Sequence, residues 1–143
     1  MADAKQSGSI RCVITTPETT SLDTHAKSVV LPLFDGERGV APGHTPFIGR
    51  LGAGEVRVVG EQGAAGDAVR RMFVEGGFVE VSHDTVSVIT QRAVPAEAID
   101  ATSARADLEQ VAAARAAGDE AIAAKLERLE TARKLVRVAS RSR

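Results

Sequence analysis

Apolar and polar residues alternate along much of the first two thirds of the chain. From about residue 10 to residue 95, short apolar runs are separated by polar or glycine-rich breaks. Within several runs every second residue is apolar, as with Ile10, Cys12 and Ile14, which is typical of a β-strand with one buried face. The clearest runs are residues 10–15, 28–34, 55–59, 69–75, 78–81 and 86–90. We expect two packed antiparallel sheets to bury these faces.

Glycines between the runs predict where the chain reverses. Glycine adopts positive φ without a Cβ clash, so clusters of it favour tight turns. We expect hairpin turns at Asp35-Gly36, at residues 52–54, at residues 63–66 and at Gly76-Gly77.

The pattern changes after Val94-Pro95, where glycine nearly disappears and alanine and charged residues dominate to the end. Apolar residues there recur at spacings of three and four, which predicts helices with one apolar face. These positions are Ile99, Leu108 and Val111, then Ile122, Leu126, Leu129, Ala132 and Val136. Gly118 suits the C-cap of a first helix and Asp119 the N-cap of a second.

The predicted fold class is therefore α+β, with an N-terminal antiparallel β-sandwich followed by a C-terminal α-helical hairpin. We place the sandwich in residues 1–95 and the two antiparallel helices in residues 96–143. A chain of 143 residues is long enough for one compact domain and such an appendage, but not for two full domains.

Composition removes several classes of function. The formal net charge is −1, which argues against a nucleic-acid partner because such domains are usually basic. No segment approaches the roughly 20 apolar residues of a membrane span, and the first nine residues do not resemble a signal peptide. Cys12, the only cysteine, permits no internal disulfide, and we expect it to pack within a strand.

No motif predicts catalysis or metal binding. Residues 39–45 superficially resemble a phosphate-binding loop, but one residue is missing between the glycines and His44 stands where lysine is required. His25, His44 and His83 lie far apart, without cysteine or carboxylate at ligand spacing, so we expect no metal site. The chain also lacks the Gly-x-Ser-x-Gly elbow of serine hydrolases.

The end of the chain carries only positive charges, namely Arg133, Lys134, Arg137, Arg141 and Arg143. One interpretation is a solvated helix end favoured by the helix dipole, at about 0.3 to 1 kcal/mol per charge. The other is docking onto an acidic partner. The dipole would select the same residues, so the sequence favours neither.

One segment is specific to a known family. Val30-Leu31-Pro32 and residues 35–46 resemble the Gly-Glu-x-Gly-x-x-Pro-Gly-His-x-Pro segment of the ε subunits of bacterial and chloroplast F-type ATP synthases. Residues 13–17, 21–22, 51–58 and 74–81 are also similar, so the resemblance spans nearly the whole chain. Arg38 departs from it, because a small apolar residue is common there.

This resemblance implies a non-catalytic rotor subunit in the central stalk of a proton-translocating ATP synthase. It would couple rotation of the c-ring to the γ subunit and the catalytic head, peripherally on the cytoplasmic or stromal face, with membrane contact only through the complex. Residue by residue, it implies that Glu37 and the surrounding loop lie near the c-ring. It likewise implies that His44 and Pro46 lie near γ, and that Gly43 contributes to assembly with γ and the ring.

The resemblance also implies that the hairpin is a regulatory arm with transient contacts to the catalytic α and β subunits. Arg128, Arg133, Lys134 and Arg137 would meet acidic loops there. Ile99 and Asp100 begin the family's nucleotide-binding signature, Ile/Leu-Asp-x-x-Arg-Ala, but Ser103 replaces its arginine. We therefore expect no cofactor and weak or no ATP binding.

A different class of function fits the same elements. A free-standing β-sandwich adaptor could recognise a peptide at an exposed sheet edge and use its helical hairpin as a second contact surface. Co-purification separates the two hypotheses, because the rotor hypothesis requires γ to accompany the chain.

Overall fold

The computed structural model describes residues 8–66 and 68–141, so the predictions that include residues 1–7 and Arg143 extend outside the described residues. The strands are β1 (Ile10–Thr15), β2 (Thr20–Ala26), β3 (Ser28–Leu33), β4 (Gly36–Val40), β5 (Phe47–Val59), β6 (Val69–Ser82), β7 (Thr85–Ile89) and β8 (Ala93–Pro95). A single 3-10 turn (Ala96–Ala98) leads to α1 (Ala101–Ala113) and α2 (Asp119–Arg141).

One sheet with the order β2-β1-β7-β6-β5-β3-β4 forms the sandwich, and β8 adds to β6. The two layers are possible because β5 and β6 are long and pair from Phe47↔Val81 to Val59↔Val69. One half of this ladder joins β7 and the other half joins β3 and β8. The predicted class, a β-sandwich followed by two helices, is confirmed. The pairing is not purely antiparallel, because β1 and β7 run parallel.

Two of the predicted reversals are wrong. Residues 52–54 lie inside β5, and Gly76-Gly77 lies inside β6. Both glycines of β6 have positive φ, and a Cβ on Gly77 would lie 2.0 Å from the Ile89 carbonyl oxygen. Glycine is needed there because the strand bends closely past its neighbour. The turns at Asp35-Gly36 and at residues 63–66 are confirmed.

The core lies between the layers, and the predicted alternation holds on β1, where Ile10, Cys12 and Ile14 are fully buried. Strand β6 differs, because three consecutive residues are buried. Met72 and Val74 belong to the core of the sandwich, whereas Phe73 faces the opposite side and packs under the hairpin. Both faces of β6 are therefore covered.

The helices begin and end differently from the prediction. Helix α1 stops at Ala113, and residues 114–117 form a loop. Gly118 has φ +91° and its carbonyl accepts a hydrogen bond from the Ile122 N–H at 3.0 Å. Gly118 is therefore the N-cap of α2, and Asp119 is already helical.

Only part of the predicted apolar face of α2 is buried. Ile122 and Leu126 are 46% and 59% exposed, although they belong to the apolar face that was predicted to be buried. The buried residues are Ala132, Leu135, Val138 and Ala139. They lie in the C-terminal half of α2, and α2 packs on β5 and β6.

Candidate functional site: the loop after β4 and the junction with the hairpin

The loop of residues 41–46 connects β4 to β5 and brings together three predicted site residues, Gly43, His44 and Pro46. Gly43 has φ +85°, and the His44 N–H donates to the Ala41 carbonyl at 3.1 Å, which closes a tight turn. Nδ1 of His44 donates to the Thr45 carbonyl at 2.7 Å. Gly43 and Pro46 are exposed and His44 is half-buried, so the loop is accessible at the surface.

Phe47 anchors the end of this loop. Its ring centroid lies 5.3 Å from that of His44, and the guanidinium carbon of Arg38 lies 4.8 Å above its face. A cation over an aromatic face is attracted by the ring's quadrupole. Arg38, the departure from the family segment, thus contributes to packing beside the loop.

A contact that the sequence does not reveal ties the loop to a turn elsewhere in the sheet. The Gly43 N–H donates to Oδ1 of Asp84 at 2.7 Å, across 41 positions of sequence. Asp84 lies in the turn between β6 and β7. Nothing local in the sequence signals this bond, because strand pairing alone brings the two turns together.

Glu37 lies at the other end of β4 from this loop. Its carboxylate accepts two hydrogen bonds from Arg57, at 2.8 and 3.2 Å. These bonds hold the pKa of the Glu37 carboxyl below its usual value. The Glu37 side chain is still 56% exposed, so it remains available at the surface. The structure therefore separates Glu37 from Gly43, His44 and Pro46.

A small apolar junction joins the hairpin to the sandwich. Phe73 of β6 is fully buried against Leu135 and Val138 of α2 and Ala104 of α1. Ile99, a predicted arm residue, is half-buried at the edge of this cluster. The hairpin thus docks on the outer face of β5 and β6.

Glu55 is buried beside this junction, with only 4% of its surface exposed. Its Oε1 atom accepts hydrogen bonds from Arg57 and Arg141, each at 3.4 Å. Its Oε2 atom finds no hydrogen-bond donor among the described residues. Arg71 donates to the Arg141 carbonyl at 3.1 Å, so charged groups of the sandwich meet the last turn of α2.

Glu55 was missed by the sequence analysis because it alternates with buried valines and therefore looks exposed. The sequence does carry one signal, the consecutive apolar residues Met72, Phe73 and Val74. Such a run indicates a strand that is buried on both faces, so another element must cover its outer side. Glu55 pairs with Phe73 on that same outer face.

The predicted basic residues of the arm differ in their surroundings. Arg128, Arg133 and Arg137 are exposed, and Lys134 is half-buried. Lys134 and Arg137 line a cavity of about 350 Å³ between α2 and the sandwich, together with Glu37 and Arg141. The structure therefore brings Glu37, predicted near the c-ring, next to the basic end of the arm.

Asp100, the other predicted arm residue, caps α1. Its Oδ1 atom accepts from the Thr102 N–H at 3.0 Å, and its Oδ2 atom accepts from Oγ of Ser103 at 3.0 Å. Ser103 occupies the position of the signature arginine and uses its hydroxyl on Asp100. Asp100 and Ser103 are thus engaged with each other.

Cys12 is buried, and this burial raises its pKa to about 12. The thiol therefore stays protonated at neutral pH and packs as a small apolar group.

Within residues 8–66 and 68–141, no group of three or more His, Cys, Asp or Glu side chains is placed to hold a metal ion. In the same part of the chain, no helix is long and apolar enough to cross a membrane.

A chain of similar fold is found in a solved ATP synthase. The chain superposes on a chain of the Euglena gracilis mitochondrial ATP synthase with a TM-score of 0.76, at 24% identity, covering 94% of this chain and 84% of that one. Residues 9–96 match the family model described as ATP synthase, Delta/Epsilon chain, beta-sandwich domain.

Curated relatives agree with this match. The ATP synthase epsilon chain of Rhodopirellula baltica is 50% identical over 92 residues, which cover 64% of this chain and 68% of the relative. That of Granulibacter bethesdensis is 35% identical over 130 residues, which cover 88% of this chain and 93% of the relative. The chain therefore belongs to the ATP synthase delta/epsilon chain family. It is a non-catalytic stalk subunit of an ATP synthase, and the adaptor hypothesis loses its support.

Proposed function

We propose that the sandwich joins the γ subunit to the c-ring in the rotor of a proton-translocating ATP synthase. On this proposal the subunit lies peripherally on the cytoplasmic or stromal face and meets the membrane only through the complex. Residues 1–95 act as the rotor domain, and residues 96–143 act as a movable regulatory arm.

The observation that carries this proposal is the placement of the family-like segment on β4. The loop of residues 41–46 is exposed at one end of this strand, and Glu37 is exposed at the other. One strand thus presents two separate contact points, as a subunit between two partners requires. Gly43, His44 and Pro46 would meet γ, and Glu37 would meet the c-ring.

The size of the junction supports a movable arm. The apolar contact rests on Phe73 of the sandwich and a few residues of the helices, with Leu135 and Val138 the largest in α2. Burial of such side chains contributes about 1.5 to 3 kcal/mol each. A binding partner can supply the roughly 5.5 kcal/mol that reverses a 1:99 population.

An undocked arm would carry its charges to new contacts. Arg128, Arg133 and Arg137 are exposed already and Lys134 is half-buried, and Lys134 and Arg137 line the cavity beside Glu37. On release, all four could meet acidic loops of the catalytic α and β subunits. Because Asp100 and Ser103 bond to each other, we propose that ATP does not hold this arm down.

Co-purification with a matched pair of variants tests the rotor contact. A Cβ on Gly43 would meet nothing within 4 Å, but φ +85° is unfavourable for valine. We expect Gly43→Val to remain folded and to lose binding to γ and the ring. Gly63→Val has nearly the same φ, +87°, and equal space, but lies in another loop. Undiminished rotor assembly of folded Gly43→Val would contradict the proposed site.

Deletion of the hairpin tests the arm. We expect removal of residues from Ala96 onward to relieve inhibition of ATP hydrolysis in the assembled enzyme. Unchanged ATPase activity would contradict the regulatory role and would mean that the hairpin only covers the sandwich. Calorimetric detection of micromolar ATP binding by the full chain would contradict the proposal on the nucleotide.

A further inference from the structure

The turn between β6 and β7 has unusual backbone geometry. His83 and Asp84, the two residues that connect Ser82 to Thr85, have φ values of +51° and +56°. Two left-handed residues in a two-residue hairpin favour Asn-Gly or Asp-Gly, because glycine takes this conformation freely. Asp84 occupies the second position, where glycine is preferred. A non-glycine residue at positive φ is uncommon even though aspartate tolerates it, so the contacts of the Asp84 side chain are informative.

The side chain of Asp84 reaches the loop of residues 41–46. Its Oδ1 atom accepts the Gly43 N–H at 2.7 Å, a short bond of the charge-assisted kind. The Asp84 carbonyl also accepts the Arg11 N–H at 2.9 Å, which fixes the turn against β1. Among the bonds that the structure describes for residues 41–46, the one to Asp84 alone reaches a distant part of the chain.

Other restraints on the loop are weaker or local. The bond from the His44 N–H to Ala41 closes the turn but does not orient it on the sandwich. The contact between the rings of His44 and Phe47 acts only at the end of the loop. Without the carboxylate, the Gly43 peptide would be free to rotate, because glycine has few conformational restrictions.

We propose that Asp84 is a positioning residue that holds the loop of residues 41–46 in the conformation that binds the partner. This inference rests on the proposed function for the partner's identity, γ. Asp84 acts through the backbone of Gly43, and the strained turn keeps the carboxylate aimed at it.

Three variants separate this role from general stability. Asp84→Gly removes the carboxylate and relaxes the backbone, so the fold should be retained. Asp84→Asn keeps an oxygen that can accept the Gly43 N–H and should retain part of the function. His83→Gly, the matched control, relaxes the same turn and leaves the carboxylate in place.

Two measurements apply to each full-length variant. Amide hydrogen exchange in the isolated protein reports the Gly43 N–H directly, and we expect at least tenfold faster exchange in Asp84→Gly. Titration with purified γ reports binding, and we expect at least tenfold weaker affinity for Asp84→Gly. Asp84→Asn should be intermediate and His83→Gly near the wild type in both.

The outcomes distinguish the inference from the function beneath it. If Asp84→Gly loses Gly43 protection yet binds γ like the wild type, the positioning role is wrong and the rotor proposal stands. Unchanged Gly43 exchange would also overturn it. If the wild-type chain itself does not bind γ, the proposed function fails first and the inference fails with it.

Discussion

The sandwich and the helical hairpin are held in different ways. The sandwich has a continuous core to which β1, β2, β3, β4, β5, β6 and β7 all contribute buried residues. In α1 only Ala101 and Ala104 are buried, and the largest residue of the junction, Phe73, belongs to the sandwich. The hairpin therefore depends on its neighbour for its apolar contacts, whereas the sandwich has a core of its own.

The same difference is visible in the comparison with known proteins. The family match covers residues 9–96 and ends at the first helical turn. Packing restricts which residues can replace a buried one, because cores tolerate only small changes in volume. An exposed, alanine-rich helix has many equivalent sequences. The sandwich is thus recognisable by its residues, and the hairpin mainly by its periodicity.

The largest effect should come from the core of the sandwich. Ile14 is fully buried, so Ile14→Ala should lower the free energy of unfolding by about 2 to 5 kcal/mol. Ile48, which is 76% exposed on the same sheet, is the control, and Ile48→Ala should change it by less than about 0.5 kcal/mol. Urea denaturation followed by circular dichroism measures both. Similar losses of unfolding free energy in the two variants would contradict a stability that depends mainly on the buried core.

Next in size is the junction. Val138→Asp removes the burial of Val138, worth about 1.5 to 3 kcal/mol, and places a carboxylate beside Phe73, so it should undock the hairpin. Hydrogen exchange should accelerate in α2 while β1 and β7 stay protected. Leu126→Asp, on the exposed part of the same helix, should change neither the docking of the hairpin nor the hydrogen exchange of α2. Simultaneous loss of protection in helix and strands would show one cooperative unit instead of two.

A smaller effect is expected at the start of α1. Asp100 caps this helix, so Asp100→Ala should reduce its local stability by about 0.5 to 2 kcal/mol. Amide exchange across Ala101–Ala113 provides the measurement. Asp107→Ala, at an exposed site on the same helix, serves as its control. Equal exchange in the two variants would mean that the cap contributes nothing.

The smallest effect is electrostatic. Hydrogen bonds from Arg70 and from Thr24 lower the pKa of Glu61 below its ordinary 4.5. Because the folded-state pKa is the lower one, this stabilisation is present at neutral pH and is lost as pH falls below 4.5 through the folded-state value.

Glu61→Gln should therefore be less stable than the wild type by up to about 1 kcal/mol at pH 7, since the pair is at the surface. The difference should shrink on acidification, when the wild-type carboxyl also becomes neutral. Urea denaturation at pH 7 and pH 3 measures the difference in stability between the variant and the wild type. A larger difference at pH 3 would contradict a lowered pKa for Glu61.

Sequence reasoning succeeded where one local pattern had one structural meaning. Alternation on β1 predicted its buried face because a strand between core and solvent can bury only one side. It failed at Gly76-Gly77, since glycine serves bends within strands as well as turns. It also failed at Ile122 and Leu126, because helical periodicity does not show how far the supporting sheet extends.

The site shows the same limit. The resemblance drew attention to Gly43 and Glu37, which the structure places at exposed positions. It did not identify Asp84 or Glu55, whose roles depend on tertiary contacts. Asp84 meets Gly43 because two turns converge, and Glu55 is covered because the hairpin lies on its strand. Neither contact leaves a periodic trace in the sequence.

The continuous ladder of β5 and β6 has a mechanical consequence. Each strand passes through the bend at its glycines and belongs to both layers, so a twist applied to one layer reaches the other through covalent backbone. Two separate sheets would transmit it only through side chains sliding over each other. Here the layers can move apart only if a row of interstrand hydrogen bonds shears together. We therefore expect the two layers of the sandwich to resist being twisted against each other.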